Sequence, residues 1–258
     1  MAVMTPHFRW GSREVDWTWV PETSTEMAHT VRRLVGEGLG VLGFTFIAGS
    51  AIVVNQITDG GLGVLGMAAA TGLGYAIMVS LFHPVSGGHI NPAVTLGMVF
   101  GRRMPPFIGL LYLAAQFGGA VAGALLLNLI FDDFVSDASQ TAMLVFEEKM
   151  GFWAGGLLEG ILTFFLVVAY FRAFVDPRGD RTFGPLAVGT VVLFAFLVAY
   201  PLTGAALNLA RVFGTDLVAG DWTDFGNYLL PLIGGAAAGL LYEYLFVHHE
   251  EEEAGAGT

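Results

Sequence analysis

The chain has 258 residues, of which 55% are hydrophobic and only 13% are Asp, Glu, Lys or Arg, about half the charged share usual in a soluble domain. An ordinary soluble enzyme is therefore excluded, and 22 acidic against 11 basic residues, a net charge of −11, argue against nucleic acid as a partner. The absence of cysteine removes disulfides, thiol catalysis and cysteine-based metal sites. No nucleophile–base pair, glycine-rich phosphate loop or metal-ligand cluster is legible, so no enzyme activity, cofactor or metal is expected.

Residues 1–31 read as a cytoplasmic N-terminal segment without an apolar core of signal-peptide type. Trp10, Trp17 and Trp19 lie there among charges, as an interfacial anchor or as disordered chain. Thr23-Ser24-Thr25-Glu26 spells a capping box, so a helix is predicted to begin near Thr23 and to carry Arg32 and Arg33 to the membrane surface.

Six apolar runs follow at about 34–55, 62–82, 107–131, 152–175, 184–203 and 226–247, each close to the roughly 20 residues that cross a ~30 Å hydrocarbon core. Between the second and third lies Pro84–Gly101, and between the fifth and sixth Thr203–Asp221. Both are apolar, broken by glycine, proline or turn residues, and too short to cross, so each is read as re-entrant. Nine arginines from Arg9 to Arg181 fall on one side and only Lys149 and Arg211 on the other, which puts both termini in the cytoplasm. Residues 248–258 form an acidic cytoplasmic tail, read as solvated chain in preference to a metal or regulatory site.

The first half of the chain recurs in the second. Glu37-Gly38 matches Glu159-Gly160, Ser86–Ala93 matches Thr203–Ala210 117 positions later, and Gly118–Gly123 matches Gly234–Gly239. Three spans per half is an odd number, so the repeats, about 32–131 and 152–247, sit upside down relative to each other. Proteins built this way place a pathway at the repeat interface, with broken helices whose N-termini meet near the midplane. Asn91 and Asn208 each open a short helix-like run, ending at Gly101 and at about Leu217. Asparagine is a favoured cap at such a start, and Pro92 suits a first turn.

The segments Gly87-Gly88-His89-Ile90-Asn91-Pro92-Ala93-Val94-Thr95 and Gly204-Ala205-Ala206-Leu207-Asn208-Leu209-Ala210-Arg211 resemble the two signature loops of the aquaporin (major intrinsic protein) family. The resemblance covers about residues 32–247 and includes the glutamates at 37 and 159. It implies an all-α membrane fold of six transmembrane helices plus two re-entrant half-helices in an inverted 3+3 repeat. It also implies a homotetramer in the plasma membrane, with a pore in each subunit for water and small neutral solutes. The pore motif would be Asn91, Pro92 and Ala93 with Asn208, Leu209 and Ala210. Where the family carries a second Asn-Pro-Ala this chain has Leu209, and local reshaping is expected because the asparagine is kept.

By the same resemblance Arg211 stands at an outer constriction with Thr71, Phe196 and Ala205, and His89 lines the inner vestibule. Water-selective relatives carry a large aromatic and a histidine where Thr71 and Phe196 stand. The size pattern is shared with glycerol-conducting relatives, yet Val212 replaces the aspartate common among them. Permeation of water is the leading reading, and small neutral solutes remain open.

Physics agrees with a pore. Irregular backbone at membrane depth must line a wet cavity or be buried in protein, and two facing helix N-termini oppose cations while neutral water passes. Arg211 at membrane depth is costly unless it faces water or partners; snorkelling is the competing reading. Glu37 and Glu159 are either proton carriers of a coupled transporter or acceptors that hold the loops, and the repeat favours the second. Glu243 is expected to snorkel or cap, and His83 to sit solvated at the interface, although a pH gate involving His83 or His89 is conceivable. A junctional protein that has lost conduction is the third class, with Leu209 and Phe196 as its suspects.

Overall fold

The structure, a computed structural model, describes residues 7–10, 13–16, 20–132, 134 and 150–247; Trp17, Trp19, Lys149 and the acidic tail lie outside it. His7–Trp10 (β1) and Arg13–Asp16 (β2) pair antiparallel, a hairpin not anticipated from the sequence. The first half then builds α1 (Ser24–Ile57), α2 (Gly63–Ser86), a half-helix α3 (Pro92–Phe100) and α4 (Pro106–Phe131). The second builds α5 (Phe152–Tyr170, continued by a π-helical turn to Val175), α6 (Gly184–Thr203), a half-helix α7 (Leu209–Ala219) and α8 (Leu230–Tyr242). A 3₁₀ turn Phe225–Leu229 leads into α8 and a π-helical turn Glu243–Val247 follows it.

Six of these helices are long and apolar enough to cross a membrane, at the positions read from the sequence. The first is longer than its apolar run because Thr23 caps it: its hydroxyl oxygen accepts from the Glu26 N–H (3.2 Å), and the Glu26 carboxylate accepts from the Thr23 N–H (3.0 Å). Large apolar side chains such as Leu129, Ile233 and Leu65 stand on the outer surface, where lipid removes the penalty that water would impose.

Close helix approach depends on particular glycines. A Cβ at Gly119 on α4 would fall on the Gly38 carbonyl of α1, and one at Gly234 on α8 would fall on the Gly160 carbonyl of α5, so the two repeats cross their outer helices in the same way. At Gly118, by contrast, open space surrounds the Cβ direction. Each half-helix packs mainly on a span of the opposite repeat, α3 on α8 and α7 on α4. The repeats are thereby interlocked around the two loops.

Beyond the end of α5, Asp176 gathers donors from two segments: Arg178 N–H, Nε and Nη2 at 2.9, 2.9 and 2.8 Å, and the Tyr242 hydroxyl at 2.9 Å. Burial pushes its carboxyl up, but these donors outweigh burial and hold it down at about 2. That value is below the unfolded ~3.9, so its contribution to stability is present above that pH and is lost as pH falls toward 2. The thermal midpoint of the detergent-solubilised protein is expected to fall between pH 4 and pH 2. In Asp176→Asn that portion of the decline should vanish and the neutral-pH midpoint should drop by about 2–4 °C per kcal/mol lost; an unchanged midpoint would contradict the role.

Two further sequence expectations are revised at this end. Glu243 neither snorkels nor caps: its carboxylate forms an ion pair with buried Arg103, whose Nε donates at 2.6 Å. His83 is half-buried, its ring stacked on Phe174 at 4.1 Å and its Nδ1 2.8 Å from the Gly87 carbonyl oxygen.

Candidate functional site

Each loop is held in an unusual backbone conformation at repeat-related positions. Gly87, Gly88 and Ile90 have positive φ (95°, 61° and 52°), as do Gly204, Ala205 and Leu207 (76°, 51° and 50°). A β-branched residue such as Ile90 is rare in that region and costs on the order of 1 kcal/mol or more. Glu37 and Glu159 offset this strain. Glu37 accepts from the His89 and Ile90 N–H groups (3.0 and 2.7 Å), the Ser86 hydroxyl (2.7 Å) and Gln116 Nε2 (2.8 Å). Glu159 accepts from the Ala206 and Leu207 N–H groups (2.9 and 2.9 Å) and the Thr203 hydroxyl (2.6 Å). Both carboxylates are fully buried and occupied by loop donors.

Two tyrosines that the sequence reading overlooked complete the support. Tyr112 donates to the Ser86 carbonyl (2.7 Å) and Tyr228 to the Thr203 carbonyl (2.9 Å). They stand 116 positions apart, the same offset as Gly118 and Gly234, so the repeat register was the signal that could have found them.

Asn91 and Asn208 meet at the centre. Each caps its own half-helix, Asn91 Oδ1 accepting from the Ala93 N–H (2.8 Å) and Asn208 Oδ1 from the Ala210 and Arg211 N–H groups (3.1 and 3.3 Å). Each also donates across the repeat interface, Asn91 Nδ2 to the Leu207 carbonyl (2.9 Å) and Asn208 Nδ2 to the Ile90 carbonyl (2.7 Å). One hydrogen of each amide is used by this clasp and the second remains for a ligand. Pro92 and Leu209 both occupy the first helical position, so the cap persists although leucine replaces proline. Ala93 and Ala210 are buried beside them.

Arg211 is 2% exposed and does not snorkel. Its Nη2 donates to the Ala205 carbonyl (2.9 Å) and lies 3.4 Å from the Ala206 carbonyl oxygen, and its Cζ lies 5.9 Å from the centre of the Phe44 ring. Thr71 and Phe196 are buried on neighbouring helices α2 and α6, which approach each other through Gly72 and Gly189. Phe196 stacks on Tyr200 at 4.5 Å. Among the described residues no hydrogen bond joins Thr71 to Arg211, and Thr71 Oγ1 and Arg211 Nε are both buried without a partner. Buried polar atoms of this kind need water or a solute to satisfy them. Phe44, seven residues beyond Glu37, was not singled out because nothing distinguishes it in an apolar run. His89 is buried, with Nδ1 3.1 Å from the Thr95 hydroxyl and its ring near Tyr112 and Tyr170.

Comparison with known proteins agrees with this architecture. The major intrinsic protein family matches residues 24–242. Aquaporin TIP4-4 of Zea mays is 41% identical over 227 residues, covering 85% of this chain and 88% of that protein. Probable aquaporin TIP2-2 of Oryza sativa subsp. japonica is 34% identical over 228 residues, covering 85% and 89%. The aquaglyceroporin structure from Plasmodium falciparum superposes with a TM-score of 0.76 at 22% identity, covering 86% of this chain and 99% of that one, and so shares the fold. An inverted pair of half-helices within six spans, and relatives matched over most of their length, make this chain an integral multi-pass membrane protein of the major intrinsic protein family, the aquaporins: a channel for water and small solutes and not an enzyme.

Proposed function

We propose that the chain is a passive water channel that excludes protons and ions at two places, the Asn91–Asn208 clasp and the constriction around Arg211. The observation that carries the reading is the clasp: two half-helix N-termini face each other, each tipped with an asparagine amide that keeps one hydrogen for the pathway. Positive potential from both ends repels a cation there, while a water molecule turns its oxygen to the amides. Arg211, Thr71, Phe196 and Ala205 form the outer selectivity constriction, and His89 lines the inner vestibule. Glu37 and Glu159 hold the loops and do not carry protons, because loop donors occupy both carboxylates.

Passage of a small neutral solute such as glycerol is a second reading, favoured by the small side chains of Thr71 and Ala205 beside one aromatic. The arginine bias supports both termini in the cytoplasm, with residues 1–31 and 248–258 flanking a channel domain at 32–247. Assembly as a homotetramer in the plasma membrane belongs to the same proposal.

The test is stopped-flow light scattering on proteoliposomes under an impermeant osmolyte and under a glycerol gradient. Wild type is expected to shrink much faster than empty liposomes and to admit glycerol slowly. Phe196→Ala should raise glycerol entry severalfold, and Arg211→Val should in addition leak protons to an internal pH dye. Wild-type shrinkage no faster than that of empty liposomes, from protein that is folded and incorporated, would overturn the reading.

A further inference from the structure

We propose that Tyr75 is a second selectivity element, set on the first-loop side of the asparagine clasp, and that its hydroxyl occupies one backbone carbonyl that would otherwise bind the water file; this rests on the channel reading above. Tyr75 is 1% exposed on α2, four residues and one helical turn beyond Thr71 on the same face. Its hydroxyl donates to the His89 carbonyl at 2.9 Å. The next carbonyl along the loop, that of Ile90, is the one that accepts from Asn208.

The repeat identifies what kind of position this is. At the offset of 117 that relates Asn91 to Asn208, the counterpart of the His89 carbonyl is that of Ala206, which lies 3.4 Å from the Arg211 guanidinium. The two equivalent carbonyls are thus engaged by side chains that are not equivalent to each other. The position related to Tyr75 holds Val192, and the position related to Arg211 holds Val94. Tyr112 and Tyr228, by contrast, make the same bond in both repeats and behave as scaffold. Tyr75 breaks the symmetry in one half as Arg211 does in the other.

The two symmetry-breaking groups are also joined through one ring. Tyr75 packs edge-to-face on Phe44 at 5.1 Å and 76°, and Phe44, itself 2% exposed, lies under the Arg211 guanidinium. An aromatic wall therefore runs from the first-loop carbonyl to the constriction. Its hydroxyl and its ring act separately: the hydroxyl occupies one carbonyl lone pair that would otherwise bind water, and the ring removes width that a carbon-bearing solute would need.

Full-length wild type, Tyr75→Phe and Tyr75→Leu are to be compared in proteoliposomes, with flux normalised to incorporated protein. Tyr75→Phe keeps the ring and frees the carbonyl, so water permeability should rise about threefold, the effect of one hydrogen bond, with glycerol entry unchanged. Tyr75→Leu should raise glycerol entry as well. This split is one that a purely structural role would not produce. Water permeability equal to or below wild type in Tyr75→Phe, with the wild-type elution profile, overturns the proposal even if Tyr75→Leu fails to fold. A wild type no more permeable than empty vesicles would instead fail the channel reading itself, and the role of Tyr75 with it.

Discussion

Glu37→Leu is expected to yield no folded protein. Of the four donors on the Glu37 carboxylate, two have other acceptors: the Ser86 hydroxyl can use the Phe82 carbonyl (3.2 Å) and Gln116 Nε2 the Thr95 hydroxyl (2.9 Å). The His89 and Ile90 N–H groups would be stranded in a buried loop. At about 1–3 kcal/mol for each stranded donor, the loss is roughly 2–6 kcal/mol before the strained Ile90 backbone is counted, against a total stability of ~5–15 kcal/mol. Glu159→Leu strands the Ala206 and Leu207 N–H groups in the same way. Glu37→Gln keeps one acceptor oxygen and should fold with a lowered thermal midpoint. Size-exclusion profiles of detergent extracts distinguish these cases, and a wild-type profile for Glu37→Leu would show that the loops hold their shape by other means. A proton-carrier role predicts the opposite order, with folding intact and only coupled uptake lost.

Gly119→Val should also abolish assembly, and Gly118→Val, one residue away, should leave it unchanged. A Cβ at 119 overlaps a backbone carbonyl of α1, which cannot turn aside as a side chain can, so the two helices must separate along their crossing. Overpacking a close-packed contact costs typically 1–3 kcal/mol even where side chains give way. In lipid the loss is felt fully, because helix association there depends on close van der Waals fit. At Gly118 a Cβ meets open space. Gly234→Val should match Gly119→Val, its counterpart being the Gly160 carbonyl of α5. Equal extraction and elution of Gly118→Val and Gly119→Val would refute the crossing geometry. The result bears on function because α4 carries Gln116 to Glu37 and Tyr112 to Ser86, so separation of these helices releases the first loop.

Much of the architecture was legible because polar groups at membrane depth are expensive and therefore conspicuous in an apolar sequence. Glu37, Glu159, Asn91, Asn208 and Arg211 stand out against their surroundings, and the recurrence of the glutamate 122 positions on and of the asparagine 117 positions on identified the inverted repeat. Thr23-Ser24-Thr25-Glu26 announced the start of the first helix by local capping chemistry alone. Residues that look like ordinary core stayed hidden. Phe44 and Tyr75 sit in apolar runs, and their significance comes from a ring contact with a residue in the other repeat and from a bond to a carbonyl 14 positions away. Gly118 and Gly119 are indistinguishable as letters. The Arg103–Glu243 pair joins positions 140 apart, and neither partner signals the other.

The sequence by itself thus determined the number of spans, the two half-helices, their asparagine caps and the charge at Arg211, all of which follow from local rules of hydropathy, capping and desolvation. Tertiary structure alone decided which carbonyl each amide and hydroxyl would take, which glycine would touch a helix, and which aromatic would underlie the guanidinium. Those choices depend on distances between segments remote in the chain, set by the interlocking of α3 on α8 and α7 on α4. Periodicity along one helix carries no information about the backbone atom that another helix will present to it.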